Sequence, residues 1–131
     1  KENRRKRIKG RKAEELVMEY EQMRLKALNR LGLAENIEDY STKYGFGFDI
    51  LSWNEDGTPR NIEVKASGSN SFIITRNELE KSEKNPYYWI YILNEMKNEV
   101  QIKKIKAPSL HNNSQFKLEP KDYYVSFSLE N

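Results

Sequence analysis

The chain has 131 residues, of which 23 are lysine or arginine and 20 are aspartate or glutamate, so its formal net charge is +3. This length suits one domain, because typical domains contain about 100–150 residues. The absence of cysteine excludes disulfides and cysteine-based zinc sites, and the single histidine, His111, argues against a Ser-His-Asp triad or a multi-histidine metal site. No apolar run approaches the roughly 18 residues of a membrane span, so we expect a cytoplasmic protein with no membrane partner.

The charge is distributed unevenly along the chain. The first 12 residues hold eight basic side chains and one acidic one, a charge of +7, so the remaining 119 sum to 3 − 7 = −4. We therefore expect a basic arm over residues 1–12 and a single domain over residues 13–131. The chain begins with Lys1, and we expect a fragment of a longer protein whose other domains are its partners. The arm is either solvated or in contact with phosphates, with Arg4, Arg5 and Arg7 as the candidate nucleic-acid contacts.

The first half of the chain predicts a long helix followed by a β-hairpin. Apolar residues at three- and four-residue steps predict an amphipathic helix from Lys12 to Arg30, with Gly32 as its stop. Two strands, Phe48 to Trp53 and Arg60 to Ala66, then flank a segment dense in turn-forming residues.

The second half predicts a strand, a short helix and further strands. A third strand, Phe72 to Thr75, leads into a helix through a capping box formed by Thr75 and Glu78. Tyr87 to Leu93 has the composition of a central strand buried on both faces, so its aromatic residues are expected in the core. Val100 to Ile105 is predicted to be the antiparallel partner of that strand, and Tyr123 to Leu129 to be the last strand.

The predicted order of elements is αβββαβ with extra C-terminal strands. This order indicates an α/β (α+β) domain with a central mixed sheet flanked by helices.

Three charged residues lie in the otherwise apolar hairpin: Asp49, Glu63 and Lys65. Strand alternation places Glu63 and Lys65 on one face, and buried charges are costly unless they are paired or bind a metal. If Asp49 and Glu63 converge, their oxygens suit Mg²⁺, and Lys65 would reach a water or a substrate phosphate. This is the equipment for metal-assisted phosphodiester hydrolysis. The alternative is a surface hairpin in which Glu63 and Lys65 form an exposed ion pair.

These motifs resemble a known family. The sequences GFGFDI (45–50) and IEVK (62–65) resemble the signature of the PD-(D/E)xK nuclease superfamily, the fold of many restriction endonucleases. More closely, they resemble the NO VEIN C-terminal domain family, whose domains are often found in bacterial restriction and defence proteins. That resemblance spans about 10–93 and includes further residues: Ala13, Glu14, Val17, Glu21, Phe72, Thr75, Asn77 and Glu78. Phe48 stands where the superfamily motif has proline.

The resemblance implies a restriction-endonuclease-like fold and a Mg²⁺-dependent DNA endonuclease, with Mn²⁺ as a substitute. The protein would cut DNA, expected to be double-stranded, as the cleavage module of a restriction or phage-defence protein. Asp49 and Glu63 would bind the metal, Glu14 would bind it directly or through water, and all three would be catalytic together with Lys65. Lys65 would act either as a general base or as an electrostatic clamp, and we favour the clamp.

Several points stay open at the level of sequence. Asn77, beside the predicted helix cap, is a candidate nucleic-acid contact, whereas Glu21 is expected on the helix surface. A homodimer would help to cut both DNA strands. The alternative function is a catalytically inactive nucleic-acid-binding or protein-interaction domain of the same fold.

Overall fold

The computed structural model describes residues 10–43, 45–68, 71–96 and 99–106, together with Lys117, Leu118, Val125, Ser126 and Ser128. These residues form three helices and five strands in an α+β arrangement. In chain order the elements are α1 (Gly10–Ala27), α2 (Leu31–Ala34), β1 (Glu38–Asp39), β2 (Ile50–Trp53), β3 (Pro59–Ser67), α3 (Arg76–Lys84), β4 (Tyr88–Met96) and β5 (Glu99–Lys106).

The five strands form one mixed sheet in the order β1-β2-β3-β4-β5. The pair β3 and β4 is parallel, and the other three neighbouring pairs are antiparallel. Helix α3 connects the two parallel strands, because a parallel pair needs a crossover that returns the chain to the end of the sheet at which the first strand began. The predicted mixed sheet and its flanking helices are confirmed.

Helix α1 begins at Gly10 and ends earlier than the sequence predicted. Asn29 adopts a left-handed conformation with φ 61°. The amide of Arg30 donates to the carbonyl of Leu25 and the amide of Asn29 donates to that of Lys26, which are the two bonds of a Schellman motif. The prediction of Gly32 as the stop is therefore wrong, and Gly32 lies inside α2.

The sheet is covered on both faces, and each face has its own core. On one face Val17 of α1 packs with Ile50, Ile62, Tyr91 and other buried residues. On the other face Tyr88, Ile90, Ile92 and Ile105 are buried, with Leu79 of α3 and the partly buried Phe48, Phe72 and Ile74 against them. Strand β4 contributes to both cores, as expected for a strand buried on both faces.

The third predicted strand is wrong. Residues 71–75 are neither helix nor strand, although Phe72 and Ile74 are partly buried and Ile73 is exposed. The alternation is real, but β3, the strand that precedes this segment, is already paired on both sides, with β2 and with β4. The strand that completes the sheet is β1, a two-residue element paired with β2 in a region where no strand was predicted.

The hairpin, the capping box and β5 are confirmed close to their predicted positions. Tyr87 is 46% exposed, so its predicted place in the core is wrong, whereas Tyr88 and Tyr91 are fully buried. Arg4, Arg5, Arg7 and His111 lie outside the described residues, as does most of the predicted last strand from Tyr123 to Leu129.

None of the helices in the described part of the chain combines the length and the apolar character that crossing a bilayer requires.

Candidate active site

Asp49 stands immediately before β2, where the pairing with β3 changes register. The amide of Asp49 donates to the carbonyl of Ile62 at 2.8 Å, although Ile50 is the residue that pairs with Ile62 in the ladder. Two consecutive residues thus oppose one, as in a β-bulge, which redirects a side chain at the end of a strand. The Oδ2 atom of Asp49 accepts a hydrogen bond of 2.9 Å from the amide of Val64, so the carboxylate lies against the middle of β3.

Glu63 and Lys65 lie on the face of β3 that α3 covers. Glu63 pairs with Ile90 of the α3-side core in the parallel ladder, and strand alternation gives Lys65 the same face. Glu63 is buried, and the Nζ atom of Lys65 lies 3.5 Å from its Oε2 atom. Glu63 and Lys65 thus form an ion pair, but it is largely buried and not exposed at the surface as the alternative interpretation of the sequence had it.

A fourth residue, Glu78, completes the group. Its Oε1 atom accepts a hydrogen bond of 2.7 Å from Nζ of Lys65 and another of 3.0 Å from the amide of Thr75. The sequence predicted Glu78 only as half of a capping box, which it also forms. The contact with Lys65 joins residues 13 apart in sequence, and no local pattern predicts it. We refer to Asp49, Glu63, Lys65 and Glu78 as the site cluster.

The carboxyl groups of the site cluster differ in their protonation. Burial raises the pKa of Asp49 to about 6, despite the hydrogen bond from Val64. Burial and the negative charges of Asp49 and Glu78 raise the pKa of Glu63 to about 9. Burial also opposes the charge on Glu78, but hydrogen bonds from Lys65 and Thr75 outweigh it and hold the pKa of Glu78 below its ordinary value. Asp49 and Glu63 thus lack sufficient compensating positive charge among the residues that the structure describes.

Glu14 lies on α1 at the margin of this site. Its charge contributes to the raised pKa of Asp49, but its Oε1 atom is 3.4 Å from Arg11. Arg11 in turn bonds Asp39 at 2.5 Å and so ties α1 to β1. Glu14 is therefore within electrostatic range of Asp49, but its ion pair is with Arg11 of the same helix.

The chemistry of Asp49 and Glu63 fits a hard divalent cation. No group of three or more Asp, Glu or His side chains among the described residues is arranged to hold an ion. Mg²⁺, however, is commonly held by one or two carboxylates together with water and substrate phosphate. The buried Glu63 and the partly buried Asp49, both with raised pKa values, meet that requirement, because a cation would stabilise both in their charged form.

The comparisons with known proteins give a family. The sequence model of the family described as "Protein NO VEIN, C-terminal" matches residues 13–105, from α1 to β5. The chain belongs to this family. The family resemblance inferred from the motifs is confirmed, and the wider resemblance to nucleases stays a prediction. No curated protein and no solved structure matches the chain significantly.

This NO VEIN C-terminal domain contains a second buried carboxylate, Glu21 of α1, which is fully buried. Its oxygens accept hydrogen bonds from Arg24 at 2.5 and 3.0 Å, from the Ser52 hydroxyl at 2.7 Å and from the Tyr91 hydroxyl at 2.7 Å. The expectation that Glu21 lies on the helix surface is wrong. We refer to Glu21, Arg24, Ser52 and Tyr91 as the Glu21 network.

No hydrogen bond or ion pair among the described residues joins Asn77, the remaining predicted site residue, to the site cluster. Asn77 is exposed in the first turn of α3, adjacent in sequence to Glu78. Its role in binding nucleic acid stays a prediction.

Proposed function

We propose that this domain is a metal-dependent DNA endonuclease of the PD-(D/E)xK superfamily, with a restriction-endonuclease-like core. The observation that carries the proposal is a pair of neighbouring carboxyl groups: Glu63, which is buried in β3, and the partly buried Asp49, which precedes β2 and accepts a hydrogen bond from the amide of Val64. Their pKa values are both raised beside Lys65. Burying such groups destabilises a fold, so their retention needs a compensating role, and binding a divalent cation supplies one.

The arrangement of elements supports the same proposal. A helix that carries Glu14 precedes an antiparallel hairpin that carries Asp49, Glu63 and Lys65. The hairpin is followed by a helical crossover to a parallel strand. This is the order of elements that the resemblance to the nuclease superfamily implies. Membership in the NO VEIN C-terminal family is consistent with this order.

Asp49 and Glu63 would hold Mg²⁺ or Mn²⁺, and the ion would supply Lewis-acid stabilisation of the charge that develops on the phosphate. Glu14 would support the ion from α1, directly or through water. Lys65 donates a hydrogen bond to Glu78 and faces Glu63, so in this arrangement it acts as a cation. We therefore assign Lys65 the role of a clamp that binds a phosphate oxygen and stabilises the transition state.

Contacts with DNA outside the cluster would come from the basic arm, through Arg4, Arg5 and Arg7, and from Asn77. Such contacts position the backbone and carry no sequence information by themselves. Within a restriction or phage-defence protein, other domains would select the target.

The test is cleavage of supercoiled plasmid DNA by the purified protein with Mg²⁺. We expect wild-type protein to nick or linearise the plasmid, and Glu63→Gln or Lys65→Ala to lower the rate at least about a hundredfold. Glu80→Gln and Lys84→Ala are matched controls. They make the same changes of side chain as the two site variants, but at exposed positions of α3 outside the site cluster. The controls are expected to cut at the wild-type rate.

Undiminished cutting by both site variants would refute the proposal. If wild-type protein cuts no form of DNA but binds it in a salt-sensitive manner that survives the same substitutions, the domain is an inactive nucleic-acid-binding module instead.

A further inference from the structure

The ammonium group of Lys65 lies between two carboxyl groups, and the contact with Glu78 is much the closer one. Nζ is 2.7 Å from Oε1 of Glu78 and 3.5 Å from Oε2 of Glu63. A lysine side chain has a long flexible stem, so its charge occupies a defined position only when another group holds it there. In the site cluster that group is Glu78.

Glu78 is itself held in place by the start of α3. It is the third residue of the helix after the cap Thr75, and the capping box fixes both ends of the interaction. The Thr75 hydroxyl accepts from the amide of Glu78 at 3.0 Å, and the Glu78 carboxylate accepts from the amide of Thr75 at 3.0 Å. The same oxygen of Glu78 that completes the box accepts the hydrogen bond from Lys65. The carboxylate that holds the lysine is therefore itself held by a backbone amide, which a substitution of the Thr75 side chain keeps.

We propose that Glu78 is the positioning residue for Lys65, holding its ammonium group beside Glu63 and, through it, at the proposed phosphate site. This inference rests on the proposed function for its catalytic part. The contact between Glu78 and Lys65 does not depend on that function and can be tested separately.

A capping role alone does not account for a glutamate at this position. Glutamine serves equally well as the third residue of a capping box, because the box needs an acceptor and no charge. The negative charge of Glu78 is used by Lys65, which makes a stronger, charge-assisted hydrogen bond to a carboxylate than to an amide. The two roles of Glu78 can therefore be separated by substitution.

The experiment compares Glu78→Gln with Thr75→Ala. Glu78→Gln keeps an acceptor for the cap and removes the charge that holds Lys65, so we expect kcat for plasmid cleavage to fall about tenfold with little change in KM. Thr75→Ala removes the other half of the capping box and leaves the carboxylate of Glu78. We expect it to lower the thermal midpoint of unfolding and to keep kcat near the wild-type value.

A second readout does not require catalysis. In protein labelled with ¹³C at lysine Cε, without metal or DNA, we expect the two Hε protons of Lys65 to be inequivalent, because the side chain is fixed. Lys65→Arg assigns the signal. Thr75→Ala should retain the inequivalence, and Glu78→Gln should abolish it.

The outcomes distinguish the nuclease proposal from the positioning role of Glu78. If wild-type protein does not cut DNA but the Lys65 signal depends on Glu78, the nuclease proposal fails and the positioning role stands. An unchanged Lys65 signal in Glu78→Gln overturns the positioning role, and so does an equal loss of signal in Thr75→Ala, which would make Glu78 only a cap.

Discussion

Two clusters, each with a buried glutamate, lie on opposite faces of the same sheet, and their carboxyl groups are compensated very differently. The Glu21 network pairs its carboxylate with a guanidinium group and two hydroxyl groups. Burial alone would raise the pKa of Glu21, but the hydrogen bonds from Arg24, Tyr91 and Ser52 hold it below its ordinary value. In the site cluster the pKa values of Asp49 and Glu63 are raised instead.

The contrast separates a structural carboxylate from one arranged for an external partner. Glu21 finds its complete set of partners within the fold, so nothing is needed from outside. The charge of Lys65 acts on both Asp49 and Glu63, but its hydrogen bond goes to Glu78. Under the proposed function, a bound cation would balance the two carboxyl groups. Burial by itself therefore does not identify a functional acid, and the balance of its partners does.

The largest effect that tests this contrast is expected in the Glu21 network. Glu21→Gln leaves the Arg24 guanidinium without its anion, and we expect the free energy of unfolding to fall by about 3 kcal/mol. Urea denaturation measures this change in the free energy of unfolding. Glu80→Gln, at an exposed position of α3, is the matched control and should change the value by less than about 0.5 kcal/mol. A loss as small as that of the control would mean that the network contributes little.

Metal should stabilise the protein through the site cluster alone. At a free Mg²⁺ concentration about 100 times its dissociation constant, a ligand that binds only the folded state raises the free energy of unfolding by about 2.7 kcal/mol. We expect this increase in wild-type protein and in Glu21→Gln, and its loss in Asp49→Asn and Glu63→Gln. Thermal unfolding with and without Mg²⁺ measures it. An equal shift in all four proteins would show that the ion binds elsewhere.

The smallest effect concerns pH in the metal-free protein. The raised pKa values mean that the folded state binds protons more tightly than the unfolded chain, so stability falls as pH rises from about 5 towards about 9. Glu63→Gln removes the upper part of this loss, so its free energy of unfolding should fall less than that of wild type as pH rises towards about 9.

Glu21 titrates with the opposite sign. Because its pKa is lowered in the folded state, the stability that it contributes is present at neutral pH and is lost as pH falls below its ordinary value of 4.5. Urea denaturation across this pH range measures both slopes. A Glu63→Gln variant with the same pH dependence as wild type would contradict the raised pKa of Glu63.

The elements with a local signal were the ones predicted from sequence. The long helix, the hairpin around its turn and the capping box at Thr75 each depend on residues close together in the chain, and all three are confirmed. β1 was missed because two residues have no periodicity, and only their pairing with β2 makes them a strand. The prediction of a strand over Phe72 to Thr75 was wrong for the converse reason: the composition is strand-like, but β3 before it is already paired on both sides and the segment pairs with no strand.

The site was predicted only in part, because some of its residues belong to a local sequence pattern and others do not. The residues Asp49, Glu63 and Lys65 follow from a motif and from strand alternation. Glu78 and Glu21 do not, because the partner that gives each one its role lies far away in sequence: Lys65 for Glu78, and Ser52 and Tyr91 for Glu21. A glutamate on a helix has the same local pattern whether it faces water or a buried cation.

The two outer strands of the described sheet restrict how copies of this domain can associate. β1 has only two residues, and β5 carries Lys103, Lys104 and Lys106, so neither edge is a favourable template for adding a strand from another molecule. Short and lysine-rich edges are common protections against edge-to-edge aggregation. If the proposed nuclease acts as a dimer, we expect its two copies to associate through contacts other than the pairing of these two edges.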